Sequence, residues 1–347
     1  MSLELPVRSV IRLPGMLPAD HPRELILKSS SSTSPNYGFQ SLDNLPIEYL
    51  LENGVVVLDK PAGPTSHEVA TWVRKILEVE RVGHGGTLDP AVTGILPTGV
   101  GNATKAMQAL LPAGKEYVCV LELHSRADEG DIRRVVSEFV GKLYQKPPLR
   151  SAVKRILRVR EIYYNNILEI KGRLVLFRVG CQAGTYIRKL CFDIGEALGV
   201  GGHMRELRRT RVGNFREDEH MCSLYDLKDA FVFWKENGDE TELRKYLLPI
   251  EFGIGHLPVI NIRDSAVDAV CHGANLAASG VVSLSSDMKK DDMVVLKTLK
   301  GEAVAVAKCA DTSDRIAKAK SGIVATSERV LMERGRYPSM WKKKPQE

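Results

Sequence analysis

The stretch "RVGHGGTLDPAVTG", Arg81 to Gly94, sets one carboxylate, Asp89, among four glycines and directly before a proline. Proline pushes the residue before it out of the helical region, so Asp89 is expected on extended loop backbone, and the glycines let that backbone come close to a ligand. A carboxylate presented in this way can serve as a base or a nucleophile; the same spacing also suits a plain Asp-Pro turn. In "GTYIRKL" a helix is expected to begin at Thr185, which puts Arg188 in its first turn, against the helix dipole. An acidic partner would hold it there, and such a pair would keep a partly buried aspartate ionised, the plain alternative being an exposed arginine that tolerates the small penalty. Tyr117 and Tyr186 add ring faces that stack on nucleobases and hydroxyls that make directional hydrogen bonds. A presented carboxylate, an arginine and two tyrosines point to chemistry on a nucleotide within RNA or DNA, without a cofactor.

The charge distribution agrees with a polyanionic partner. The net charge is +6, yet between Lys142 and Arg211 there are 16 Lys and Arg against five Asp and Glu. The densest runs are "RSAVKRILRVR" (150–160) and "RELRRTR" (205–211), so Arg150, Lys154, Arg155, Arg158, Arg208 and Arg209 are candidate RNA contacts, a solvated charged face being the plain alternative. Other chemistries lack their signatures. "HEVAT" has Thr71 where a zinc protease needs its second histidine, and there is no phosphate-binding G-x-x-x-x-G-K-[ST] loop. "GVGG" at 199–202 does not complete a dinucleotide fingerprint. The six cysteines are scattered without a Cys-x-x-Cys pair, so neither a disulfide framework nor a metal site is expected.

The elements that must position these residues read as an α+β fold. "GVVVLDKP" is a buried strand stopped by proline, and "TSHEVATWVRKILE" is a helix with a Thr65–Glu68 capping box and a stripe of Val69, Val73, Ile76 and Leu77. "EYVCVLELH" and "LVLFRVGCQ" read as strands, and Ile187, Leu190, Cys191, Ile194 and Leu198 share one helix face. Helices and strands mix without strict alternation. From His256–Pro258 onward, short strands with a turn at Lys300-Gly301 indicate a second, compact β domain. The "SSSSTSP" stretch, Ser29 to Pro35, is expected to be a loop or mobile connector. No apolar run reaches about 18 residues and the N-terminal segment lacks a signal-peptide centre, so an intracellular protein is expected.

In order along the chain, "LDKPAGPTSHEV", "GHGGTLDP", "GKEYV", "PPLRSAVKR", "GTYIRKL" and "MRELRRTR" resemble the successive motifs of the TruB family of pseudouridine synthases, and "DSAVDAVCHGANLAASGV" resembles part of a PUA domain. "LLPAGKEYV", "KPPLRSAVKR" and "MERGRYP" are most similar to the archaeal dyskerin branch, the catalytic subunits of box H/ACA guide ribonucleoproteins. The short stretch from Tyr117 to Pro148 lacks the insertion of stand-alone bacterial enzymes, and the "KKKPQE" end lacks the Lys-rich tail of nuclear dyskerins. The resemblance implies a mixed, mainly antiparallel central sheet flanked by helices, plus a small barrel-like PUA domain. It implies an N-terminal arm (1–46) packing with the PUA domain, a catalytic domain (47–255), the PUA domain (256–338) and a basic tail (339–347).

For the site, the resemblance makes Asp89 the essential aspartate, acting on the anomeric carbon of the sugar or on the neighbouring proton. Arg188 pairs with it, Tyr117 stacks on the base, Tyr186 and Leu207 complete the pocket, and His84 contacts the flipped nucleotide. Lys60 and Pro61 support the catalytic loop. No metal or cofactor is implied. The implied partners are a box H/ACA guide RNA, a substrate rRNA or tRNA, a small zinc-ribbon or hairpin core protein, a glycine/arginine-named β-barrel core protein and a kink-turn binder. The implied location is the archaeal cytoplasm, or the nucleolus for a truncated eukaryotic protein. The alternatives are a stand-alone tRNA pseudouridine synthase and a non-catalytic PUA-type RNA scaffold.

Overall fold

The computed structural model describes residues 15–146 and 156–340. They fall into two units, one of residues 22–115 with 207–340, the other of residues 116–206 with the segment before Pro22.

In the larger unit the unbroken run Val55, Val56, Val57, Leu58 makes Gly54–Lys60 a strand buried along nearly its whole length, as a strand covered on both faces must be. It pairs antiparallel with Thr93–Val100 and Leu247–Pro249 and parallel with Met221–Cys222. Thr93–Val100 also takes Val82–His84 antiparallel and, through Thr93 and Gly94, the strand Gly202–Val212 in parallel. The helix Ser66–Ile76 starts at the expected capping box: Glu68 N donates to Thr65 Oγ1 at 3.2 Å, and Thr65 N donates to Glu68 Oε2 at 2.7 Å. Its Val69 and Val73 are buried with Val56, Leu58, Leu227 and Phe231, each such side chain contributing about 1.5–3 kcal/mol.

The same unit contains the C-terminal β domain. Its sheet runs in the order Leu25–Leu27, Val281–Ser285, Val259–Ile262, Met293–Lys297, Ala303–Cys309, Ile323–Val330, Leu276–Ala277, so an N-terminal strand forms one edge. Val295, Ala303, Val306 and Leu331 share a core with Val55, Val57, Ile95 and Phe215 of the first sheet. The Ser-rich stretch is a loop, one of the two forms expected, and it is tethered. Ser29 Oγ donates to Val281 O at 2.9 Å, Thr33 Oγ1 donates to Asp264 Oδ2 at 3.1 Å and Ser34 N donates to the same oxygen at 2.9 Å. Lys28 Nζ adds hydrogen bonds to Ile316 O and Ala317 O, both at 3.0 Å, and to Ala319 O, satisfying carbonyls at the end of the helix Ser313–Lys318.

His256 lies near the start of this domain, 8% exposed, with Nε2 donating to Ala109 O at 3.1 Å. Burial is the main cause that holds its pKa down, from 6.5 to about 4. The unfolded chain therefore takes up a proton that the folded chain refuses between these values, so this contribution to stability is complete above pH 6.5 and is lost as pH falls toward 4. The full gap is worth on the order of 3 kcal/mol. Urea melts across this window are expected to show a flatter pH dependence in His256→Gln than in the wild type; parallel curves would refute the assignment.

The smaller unit is a sheet in which Lys115–Leu123, entering at Glu116, neighbours Leu174–Cys181, followed by Arg158–Lys171 and Gly141–Gln145. The last two pairings are antiparallel. The helices are Glu129–Glu138, capped by Asp128 Oδ1 accepting from Gly130 N at 2.8 Å, and Ile187–Ala197. The second helix starts two residues later than expected, because Thr185 is held in a turn by its N and Oγ1 donating to Gln182 O, at 3.3 and 2.7 Å. Mixed helices and mainly antiparallel sheets give the α+β class that the sequence implies. No described helix is long and apolar enough to cross a membrane.

Candidate active site

Asp89 stands on the loop between Val82–His84 and Thr93–Val100, with Asp89 and Pro90 both exposed. Val92 N donates to Asp89 O at 3.0 Å, so the Asp-Pro turn is present and the carboxylate projects from its first residue. Buried side chains hold the backbone on either side. Lys60, 0% exposed, donates from Nζ to Pro61 O at 2.8 Å and to Pro90 O and Val92 O at 3.0 Å. Ser66 Oγ accepts from Leu88 N at 2.9 Å and donates to Leu88 O at 3.2 Å, and Gly63 N donates to Pro90 O at 2.9 Å. Arg209 donates from Nε to Ile95 O at 2.8 Å and from Nη2 to Gly86 O at 3.1 Å.

These cations shape the local electrostatics. Burial, then the nearby Arg209, lowers the pKa of Lys60, while the charge of Asp89 acts in the opposite direction. His84, half-buried at the start of the loop, is held below its ordinary value by burial first, then by Arg209 and His67, so it is a neutral imidazole near pH 7. Its Nδ1 is buried and has no hydrogen-bond partner among the described residues.

In the smaller unit, Tyr117 is the third residue of the strand Lys115–Leu123 and 9% exposed. On the strand's other face, Glu116 accepts from the Tyr164 hydroxyl and lies 3.8 Å from Arg178 Nε. The Tyr164 ring covers Gly180, where a Cβ would come within 2.1 Å of Cε1, so only glycine fits there. Tyr186 is the N-cap residue of the helix Ile187–Ala197, and Arg188 is exposed in its first turn. Gln145, 2% exposed, holds the Tyr186 peptide from both sides: Oε1 accepts from Tyr186 N at 2.9 Å and Nε2 donates to Tyr186 O at 3.2 Å.

Asp89, His84, Lys60, Pro61, Leu207, Arg208 and Arg209 thus belong to the larger unit, and Tyr117, Arg158, Tyr186 and Arg188 to the smaller. Leu207 is half-buried, Pro61 exposed, and Arg158 half-buried as the first residue of its strand. Two expectations for the basic region change. Arg209, expected on a basic surface, is 1% exposed and binds the backbone carbonyls of Gly86 and Ile95. Arg208 forms a two-pronged pair with Asp59, both bonds 3.0 Å, and a 2.6 Å bond to Glu217. Arg150, Lys154 and Arg155 lie outside the described residues. Ser66 and Gln145 were missed by reasoning from sequence; both are short-range neutral polar residues whose partners are remote in the chain.

Comparison with known proteins places these features in a family context. Residues 74–187 match the family model of the TruB family pseudouridylate synthase (N terminal domain), and residues 188–254 that of the tRNA pseudouridylate synthase B C-terminal domain. Residues 258–331 match a PUA domain and 16–70 a DKCLD (NUC011) domain. The chain is 55% identical to a probable tRNA pseudouridine synthase B of Methanosarcina barkeri, over 95% of this chain and 97% of that one. It is 57% identical to the protein of the same name from Methanopyrus kandleri, over 94% and 96%. A crystal structure of a Cbf5-Nop10-Gar1 complex contains a chain with 52% identity and a TM-score of 0.91, covering 94% of this chain and 99% of that one. An H/ACA RNP bound to a substrate RNA containing 2'-deoxyuridine contains another, at 49% identity and a TM-score of 0.88, covering 94% and 100%.

Proposed function

The chain belongs to the TruB family of pseudouridine synthases, and we propose that it isomerises uridine in rRNA, and in tRNA, as the catalytic subunit of a guide-directed box H/ACA particle. The reaction breaks the bond between N1 of uracil and C1' of ribose, turns the base and joins C5 to C1'; N1 gains a proton and C5 loses one. The target base must leave its stack first. Asp89 is the carboxylate that acts at the sugar, as nucleophile at C1' or as base for the neighbouring proton, and the proline after it and the bonds around it hold it out from the loop. Tyr117, Tyr186, Leu207 and neutral His84 are assigned to the flipped nucleotide, and Arg188 to countering the charge on Asp89. The PUA domain is assigned to the guide RNA, and the partners are those named with the chain's structural neighbours: Nop10, Gar1 and H/ACA RNA.

The observation that supports guide-directed action is the likeness, over 94% of the chain, to the proteins of those complexes. A second reading, a synthase acting on tRNA unaided, is favoured by the names of its relatives. Reconstitution with partners and a guide decides between them. Pseudouridine is expected only at the uridine the guide selects, and no product when the guide is omitted. Efficient modification of bare tRNA, indifferent to guide, would establish the second reading.

A further inference from the structure

Arg209 sits in the middle of "RELRRTR", yet it is 1% exposed and ranks first by volume among the fully buried side chains. Its guanidinium reaches both ends of the Asp89 loop. Nη2 donates to Gly86 O at 3.1 Å and Nη1 lies 3.5 Å from Thr87 O, three and two residues before Asp89, while Nε donates to Ile95 O at 2.8 Å, six residues after it. Its main chain meets the loop as well. Gly94 pairs with Arg209 in the parallel register, and a Cβ on Gly94, whose φ is +102°, would come within 2.2 Å of Arg209 O. Lys60 and Ser66 hold points inside the loop, at Leu88, Pro90 and Val92. Arg209 joins the ends, and because the guanidinium is a rigid planar fork, their separation is fixed by the width of one functional group.

We propose that Arg209 is a positioning residue for the isomerisation: by tying Gly86 to Ile95 it sets where the Asp89 carboxylate stands, and it takes no part in holding RNA. The proposal rests on the reading of Asp89 as the carboxylate that acts at the sugar. A displacement of about 1 Å at a reacting group costs on the order of 10²-fold in rate, and a loop whose two ends are no longer tied can shift by that much. Lysine at this position keeps the charge but offers a single nitrogen, which reaches one end of the loop; methionine keeps the length and offers no donor.

The test uses the full chain assembled with guide RNA and core partners, comparing wild type, Arg209→Lys and Arg209→Met by single-turnover rate at saturating complex, RNA affinity and thermal melting. Arg209→Met is expected to lose about 10²-fold in the rate at saturation, Arg209→Lys to recover part of it, and both to bind RNA as the wild type does. Weakened RNA binding with a normal rate at saturation would overturn the proposal, making Arg209 an RNA contact. Wild-type rates in both variants would overturn it too, and so would failure of both to fold, which would make the residue an element of global stability. An inactive wild type, or an active Asp89→Asn control, would instead refute the reading of Asp89, so the two failures are distinguishable.

Discussion

Asp89→Asn is expected to cut pseudouridine formation by at least about 10³-fold while leaving fold and RNA binding intact. Asparagine has the same shape but cannot attack C1' or accept a proton with comparable strength. The loop's bonds to Lys60, Ser66 and Arg209 run through backbone atoms of Gly86, Leu88, Pro90, Val92 and Ile95, so the substitution touches none of them. Exposed substitutions away from such bonds usually change stability by no more than about 0.5 kcal/mol; here the charge that Asp89 sets near Lys60 is removed as well. Product measured by mass spectrometry at the targeted uridine, with melting and RNA affinity as controls, reads the effect. Product accumulating at close to the wild-type rate would eliminate Asp89 as the reacting carboxylate.

Lys60→Met is the second large effect, and it reaches both stability and rate. The side chain is wholly buried, and its amine supplies hydrogen bonds to three carbonyls, Pro61, Pro90 and Val92. Methionine fills similar space without a donor. Pro90 O keeps its bond from Gly63 N, whereas the other two carbonyls lose this donor; a buried acceptor left unmet costs about 1–3 kcal/mol, partly offset because a desolvated ammonium is also removed, so a net loss on the order of 2 kcal/mol is expected. Pro90 directly follows Asp89 and Val92 comes three residues after it, so the loosened loop is expected to lower the rate about 10²-fold even at temperatures where the variant is folded. Denaturant melts and single-turnover rates measured together test this. A stable variant with normal turnover would show that the loop holds its shape without the buried amine.

The signals that were local in sequence were legible. Pro90 announced that Asp89 stands in a loop, the Thr65–Glu68 box marked a helix start, and the run Val55 to Leu58 marked a strand covered on both faces. Signals that depend on distant partners were not. The charges of "RELRRTR" read as one basic surface, but Arg209 finds its acceptors 114 and 123 residues away and is buried by them, while Arg208 finds Asp59 149 residues away. Nothing in the run distinguishes these two neighbours. The roles of Ser66 and Gln145 were silent for the same reason: Ser66 lies in a quoted motif, yet nothing in either residue's neighbourhood names its partner, Leu88 or Tyr186. The Ser-rich stretch was legible as a loop but not as a tethered one. Its composition resembles a free connector, but its hydroxyls and backbone bind Val281 and Asp264, which low complexity cannot foretell.

The tether at Lys28 has a consequence for the order in which the protein is made. The lysine caps carbonyls that lie 288 residues and more downstream, and the strand beside it completes the edge of a sheet whose other members begin at Val259. At roughly 5–20 residues per second of synthesis, the arm emerges from the ribosome about 15 to 60 s before its partners exist. The arm is therefore translated well before the sheet it docks on, and Ile26, which packs against the core of the C-terminal domain, stays in solvent until that domain is made.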